Sequence, residues 1–328
     1  IDYNVYNPKT DKDIAVNYSV EDAIKAKAAN KTALQKELGL EENPDAFMLG
    51  IVSRLTDQKG LDLVECVLDQ ICAEDVQLVV LGTGEGKYQD MFTYYSRKYP
   101  ERVSANIFYS EALSHRIYAS CDAFLMPSLF EPCGLSQLMS LRYGTLPIVR
   151  ETGGLRDTVT PYNEVDGTGT GFSFTNYNAH EMLAIIRYAK KTYFNDRKAW
   201  NEMVLRAMKQ DFSWDASARE YEKLYDGLIE EEERRKEAIR LQQAREAAEA
   251  ALKEAEKALE LAKRAEEKAI RKFSGIEDEP EDEKAEISKA EEIDETPEAA
   301  PESEEVTEVL ETPETPEEVS ETAVEEKE

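Results

Sequence analysis

The sequence predicts a doubly wound α/β domain, a parallel sheet covered by helices on both faces, followed by a long helix and an acidic tail. Three observations carry that expectation. Short apolar runs rich in Val, Leu, Ile and Phe alternate with helical patterns up to about residue 229. The runs are nearly continuous in their apolar character, as strands buried on both faces require. Turn segments carrying glycine, proline or charge follow the runs, where ligands of open α/β sheets bind, beyond the carboxyl ends of the strands.

In order along the chain, "AFMLGIVSRL" (46–55), "VQLVVLG" (76–82), "ANIFY" (105–109), "DAFLMPS" (122–128) and "LPIV" (146–149) read as strands. Residues 60–72, 85–98, 111–119 and 134–143 read as the helices between them. Three more helices follow at 178–195, 197–210 and 214–229, the last opened by Ser213 as its cap. This gives a first domain over 1–229. From 230 to 273 the composition turns to Ala, Glu, Lys and Arg. Leu241, Ala248, Ala255, Ala262 and Ala269 fall seven apart there, with Ala244, Ala251, Ala258 and Ala265 between them. That stretch is either a solvated helix held by charge pairs one turn apart or a coiled-coil seam for a helix partner. Residues 274–328 repeat "ETPE" and read as a disordered acidic tail.

The formal charge of the 328 residues is −29. Most of it sits in the tail, where 24 Asp and Glu face three Lys, and every Phe, Tyr and Trp precedes Ser274. The balance argues against nucleic acid or an anionic membrane as partner. Four cysteines without a CxxC or a regular framework fit a reducing cytoplasm, and two histidines make a His-rich metal site a poor expectation. No apolar run is long enough for a membrane span, and no signal peptide is visible.

Chemistry-bearing residues gather just after the strands. "VSRLTDQKG" (52–60) holds Arg54 and Lys59 before Gly60, either an exposed basic loop or two cations at a helix start that suit a diphosphate. "LGTGEGKY" (81–88) is neither a P-loop nor a dinucleotide fingerprint: its lysine comes one residue too soon, and Gly86 breaks the other spacing. It is a glycine turn, with or without a ligand against it. Tyr109 ends a strand and either packs or stacks on a base, and His115 reads as a helix-surface histidine. "SLFEPCGLSQL" (128–138) sets Glu131 before a helix expected to start at Gly134. The amides of Cys133, Gly134, Leu135 and Ser136 then face the same cleft as the carboxylate, and "TGGLRDTV" (152–159) adds Gly153 and Gly154. Anion-binding amides beside one carboxylate suit a phosphate joined to a polyhydroxyl group, which is a sugar nucleotide.

"SRLTDQKG", "EALSHRIYASCDAFLMPSLFEPCGLSQL", "YGTLPIVRETGGLRDTV" and the opening "IDYNVYNP" closely resemble the bacterial glycogen synthases and plant starch synthases over about residues 1 to 229. The resemblance implies the C-terminal, Rossmann-like half of a GT-B fold. It also implies a retaining glycosyltransferase that moves glucose from ADP-glucose to the 4-hydroxyl of an α-1,4-glucan, with no cofactor and no metal. By that resemblance the catalytic residues are Arg54 and Lys59, on the diphosphate, and Glu131, on the glucose hydroxyls. Tyr109 lies near the adenine, Cys133, Gly134, Leu135 and Ser136 reach sugar and phosphate, and Gly153 and Gly154 flank the pocket. Many related transferases carry a second Glu eight residues after the first; Met139 stands there, so no ribose carboxylate is assigned. The chain is expected to lack an N-terminal half, to bind ADP-glucose and not to turn over alone. The competing readings are another GT-B enzyme with a different sugar nucleotide, or a non-catalytic nucleotide-binding interaction module.

Overall fold

A computed structural model describes residues 1–275 of the chain. It divides into two units, Ile1–Glu237 and the residues from Ala238 onward. The first holds six parallel strands: β1 (Phe47–Val52), β2 (Val76–Leu81), β3 (Val103–Asn106), β4 (Ala123–Met126), β5 (Leu146–Arg150) and β6 (Phe172–Phe174). Their order across the sheet is β3-β2-β1-β4-β5-β6. Every residue of β2 and β4 is buried; β4 is apolar throughout, and the one polar residue of β2, Gln77, donates to the Glu41 carbonyl at 2.7 Å. In register, Leu49 of β1 lies between Leu78 of β2 and Ala123 of β4.

The order reverses direction between β1 and β4, so the loops leaving these two strands diverge and open a crevice at their carboxyl ends. Around the sheet run α1 (Ala23–Leu38), α2 (Leu61–Ala73), α3 (Gly86–Lys98), α4 (Glu111–Ser120), α5 (Ser136–Arg142), α6 (Gly153–Thr158), α7 (Ala179–Asn195) and α8 (Arg197–Met208). The last helix, α9 (Trp214–Phe273), begins after Ser213, whose hydroxyl accepts from the Ala216 amide at 3.1 Å. It is one continuous helix through 229 and 230, since nothing in "YDGLIEEEERR" breaks it, and Gly227 lies inside it. The acidic-tail reading, apart from Ser274 and Gly275, lies outside the described residues.

Several expectations shift. Strand 46–55 ends at Val52, and beyond it Leu55 keeps only an isolated parallel bridge to Gly84, its amide donating to the Thr83 carbonyl at 2.9 Å. Strand 105–109 becomes Val103–Asn106, leaving Tyr109 in the loop beyond it. Helix 134–143 shortens to Ser136–Arg142, because Gly134 takes a left-handed φ of 71° that no helix accepts. Helices α1 and α6 and strand β6 were not expected at all.

His115 corrects the surface-histidine reading, for it is buried. Its Nδ1 lies 2.6 Å from Asp11 Oδ2, and the ring stacks on Tyr6 at 4.9 Å between centroids. Asp11 Oδ2 also accepts from the Tyr143 hydroxyl, and Oδ1 accepts from the Asp13 amide at 2.9 Å. Asp11, Asp13 and His115 bring three ligand-type atoms within 4.8 Å, but with both oxygens of Asp11 so engaged the cluster works as a pin between the opening loop and α4.

Burial works to raise the Asp11 carboxyl, and the hydrogen bonds from His115, Tyr143 and the Asp13 amide outweigh it, so the group titrates below its usual 3.8. A depressed carboxylate stabilises the fold above its unfolded pKa, and that contribution disappears as pH falls through the folded value. Asp11→Asn is therefore expected to lower stability at pH 5, with the gap to the parent shrinking as the pH falls from about 4 toward 2.5. Urea denaturation across that range checks it; a gap that stays constant below pH 4 counts against the assignment.

Candidate functional site

The first wall of the crevice is the loop leaving β1. A 3-10 turn at Asp57–Lys59 is closed by Gly60, whose φ of 71° directs the chain into α2. Gly60 also has no alternative sterically, since a Cβ there would stand 2.0 Å from the Pro127 carbonyl oxygen on the loop leaving β4. The two loops are further joined by the Leu129 amide donating to the Gln58 carbonyl at 2.9 Å. They bring Lys59 Nζ to 2.6 Å from Glu131 Oε2, with both side chains largely buried, and the Ser128 hydroxyl donates to the same oxygen at 3.2 Å. Residues 72 positions apart thus form one ion pair across the reversal point of the sheet.

Arg54 is exposed, its guanidinium 3.4 Å from Gln58 Oε1. It lines two hollows. One, of about 210 Å³, lies between Arg54, Lys59, Pro127, Ser128 and Ser136. The other, of about 290 Å³, lies between Arg54, Tyr6, Gly82, Tyr109 and Tyr118. Tyr109 is 85% exposed at its edge, so the packed-tyrosine reading gives way to a ring offered to solvent. Cys133 and Leu135 face a wider groove of about 780 Å³, walled by Tyr6, Met139, Phe212 and Trp214. Of the predicted residues, Arg54, Lys59, Tyr109, Cys133, Leu135 and Ser136 are distributed over these three hollows, whereas Glu131, Gly134, Gly153 and Gly154 line none of them.

The glycines support the backbone here. In Gly154, a Cβ would stand 1.9 Å from the Cys133 carbonyl oxygen, and in Gly153 it would stand 2.3 Å from that of Glu131. The Gly154 amide donates to the carbonyls of Glu131 at 3.0 Å and Pro132 at 3.2 Å, so it holds the loop. Gly153 and Gly154, expected to flank the pocket, thus brace the loop that carries Glu131. In "LGTGEGKY", Gly82 and Gly84 press on the Ser53 and Leu55 carbonyls at 1.9 and 2.2 Å from their would-be Cβ atoms. Lys87 pairs with Asp57 at 2.6 Å, and the segment is a turn that locks the β1 loop.

Sequence reasoning missed four contributors. Tyr6 lines two of the hollows, as does Met139, which drew notice only for not being glutamate. Buried Gln137 donates to the carbonyls of Cys133 and Gly134 at 3.0 and 3.1 Å, and Arg150 donates to the Ser128 carbonyl at 2.9 Å and to the Leu129 carbonyl. Only Arg150 left a signal: a cation ending an apolar strand run.

Residues 31–204, slightly over half the chain, match the family described as glycosyl transferases group 1. The chain belongs to this glycosyl transferase family. Among its members, the chain is 69% identical over 228 residues to the glycogen synthase of Lachnospira eligens, covering 70% of this chain and 48% of that protein. It is 63% identical over 228 residues to the glycogen synthase of Lachnoclostridium phytofermentans, with 70% and 48% covered. The chain spans about half the length of the curated relatives it matches. The catalytic domain of starch synthase IV from Arabidopsis thaliana, solved bound to ADP and acarbose, superposes with a TM-score of 0.64. That match has 35% identity and covers 69% of this chain and 47% of that one. The parallel six-stranded sheet with flanking helices is thus the α/β fold of a group 1 glycosyl transferase. All four cysteines are free, and no helix of the described residues is long and apolar enough to cross a membrane.

Proposed function

We infer that this chain forms the donor-binding half of a retaining, cytoplasmic glucosyltransferase of the glycogen and starch synthase kind. Its donor is ADP-glucose and its acceptor the 4-hydroxyl of an α-1,4-glucan. The observation that carries the reading is the Lys59–Glu131 pair, which sets a cation and a carboxylate side by side where the sheet reverses. High identity to two glycogen synthases supports the glucan product, and the likeness to a starch synthase bound to ADP supports the choice of nucleotide.

In this reading the diphosphate enters between Arg54 and Lys59 and competes with Glu131 for the Lys59 ammonium. The carboxylate so released accepts hydroxyls of the glucose. The adenine lies against the exposed Tyr109 ring, in the hollow that Arg54 shares. Cys133, Gly134, Leu135 and Ser136 shape the sugar side, while Gly153 and Gly154 brace them. As the glucan hydroxyl attacks from the face the diphosphate leaves, charge grows on the departing ADP, and Arg54 and Lys59 offset it. A fixed donor of this kind contributes roughly 3–4 kcal/mol to the transition state.

Calorimetric titration of the chain with ADP and with AMP tests this. Arg54→Ala and Lys59→Ala are each expected to weaken ADP about tenfold or more and AMP far less, because a charge-assisted contact to the second phosphate is lost. Glu131→Gln is expected to leave ADP binding intact or a few-fold tighter, since it frees Lys59. Equal losses for ADP and AMP, or a Glu131→Gln loss as large as that of Lys59→Ala, would sink the reading.

A further inference from the structure

The second unit carries a surface the transferase reading does not use. From Leu241 to Ala269, the two seam positions of the seven-residue repeat in α9 are alanine throughout except at Leu241. Such a stripe lets another helix approach closely along its length. Leu252 and Leu259 border one flank of the stripe and stand 61% and 58% exposed. Within the stripe itself charge is nearly balanced, since residues 241–269 hold six Lys and Arg against seven Glu, although the whole chain carries −29. Arg245 and Glu266, on the same flank as the two leucines, make no ion pair within their own chain among the described residues.

We propose that this stripe pairs with the same stripe of a second copy of the chain, antiparallel, centred between Ala255 and Ala258. Orientation follows from what each arrangement brings together. In an antiparallel pair each flank meets its own counterpart. With Ala255 against Ala258 of the second copy, Arg245 falls opposite Glu266, and Leu252 opposite Leu259. The two-fold axis repeats both contacts, giving two ion pairs and two leucine pairs on that flank. In a parallel pair the two different flanks meet. Arg245 then faces Arg240 of the second copy, while Leu259 faces Glu254 and Leu261 faces Glu266. Leucine also meets carboxylate in the antiparallel pair, where the other flank sets Leu261 opposite Glu254. The difference therefore lies in Arg245, which meets Glu266 in the antiparallel pair and Arg240 in the parallel one, and in the leucine pairs that only the antiparallel pair forms.

Light scattering and sedimentation of the full chain between about 10 and 200 μM, a range suited to a small alanine interface, decide it. The unmodified chain is expected to dimerise. R245E sets a carboxylate against Glu266 twice and is expected to weaken the dimer about tenfold, and R245E/E266R is expected to restore it. A255E, at the centre of the seam, is expected to leave a monomer of unchanged helicity by circular dichroism. A monomer at every concentration overturns the proposal. So does an R245E that is neutral, and an R245E that tightens the dimer, since in the parallel pair the new carboxylate would meet Arg240.

Discussion

Lys31→Met is expected to destabilise the first unit by about 3–5 kcal/mol, as removal of one partner from a buried ion pair does. Lys31 Nζ stands 2.6 Å from Asp122 Oδ2 with both side chains buried, and it donates to the Ala46 and Pro44 carbonyls at 2.9 and 3.2 Å. The Tyr193 hydroxyl is 3.0 Å away, and the same Asp122 oxygen accepts from the Met48 amide at 2.8 Å. One ammonium thus ties α1, the entrance to β1, the segment before β4, and α7. Burial acts to lower the lysine's pKa, and the adjoining carboxylate outweighs it, so the group is held above its usual 10.5. A raised lysine stabilises the fold below its unfolded pKa and loses that effect only as pH climbs past the folded value, so at pH 7 the full loss is expected. Methionine leaves the Asp122 charge buried and unpaired. Lys31→Met/Asp122→Asn is therefore expected to recover part of the loss, because an amide oxygen still accepts from Met48. Urea denaturation monitored by circular dichroism measures both; a single variant within 1 kcal/mol of the parent would remove the pair from any structural role.

The same helix explains where sequence reading stopped. The buried face of α1 is Ala23, Ala26, Lys27, Asn30, Lys31, Leu34 and Gln35. The spacing is helical, yet four of the seven are polar, so a search for apolar periodicity finds nothing. Their partners come from distant segments: Lys27 donates to the Ala119 carbonyl at 3.1 Å and to Thr145 Oγ1 at 2.8 Å, and burial pushes it down to about 7. His115 was misplaced for the same reason, since its carboxylate partner lies 104 residues earlier. Strands β1, β2, β4 and β5 were legible because burial on both faces leaves few other residues to use. By contrast β3, half-buried and reading Val-Ser-Ala-Asn, was placed two residues late, and three-residue β6 is too short to stand out.

At the site, the residue types and their places after strands were readable, since the parallel fold puts each of those loops at one end of the sheet. That Lys59 meets Glu131 was not, because it depends on β1 lying beside β4, a neighbour relation no local pattern encodes. The glycines of "TGGLRDTV" read as flanking the pocket; that the close approach of two loops demands them depends on a neighbour relation of the same kind.

That last point leads to the sharpest contrast between two glycines. Gly154→Ala is expected to destabilise the first unit by about 3 kcal/mol and to weaken ADP binding with it. The added Cβ would lie 1.9, 2.5 and 2.7 Å from the O, C and Cα of Cys133, all backbone atoms, so the loop itself must move. That loop carries Glu131, and its position is set by the Gly154 amide and the Gln137 side chain together. Displacing it pulls the carboxylate away from Lys59 and reshapes the hollow beside Ser136. Helix propensity acts in the opposite direction, because alanine inside a helix is favoured over glycine by about 1 kcal/mol, and Gly154 is the second residue of α6. Gly86→Ala provides the comparison: it opens α3, nothing lies within 4 Å of its would-be Cβ, and it is expected to gain about 0.4–1 kcal/mol. Thermal or urea unfolding of the two variants side by side checks the claim. If both gain stability, the approach of α6 to the Cys133 backbone is looser than described, and the bracing of Glu131 by that glycine falls with it.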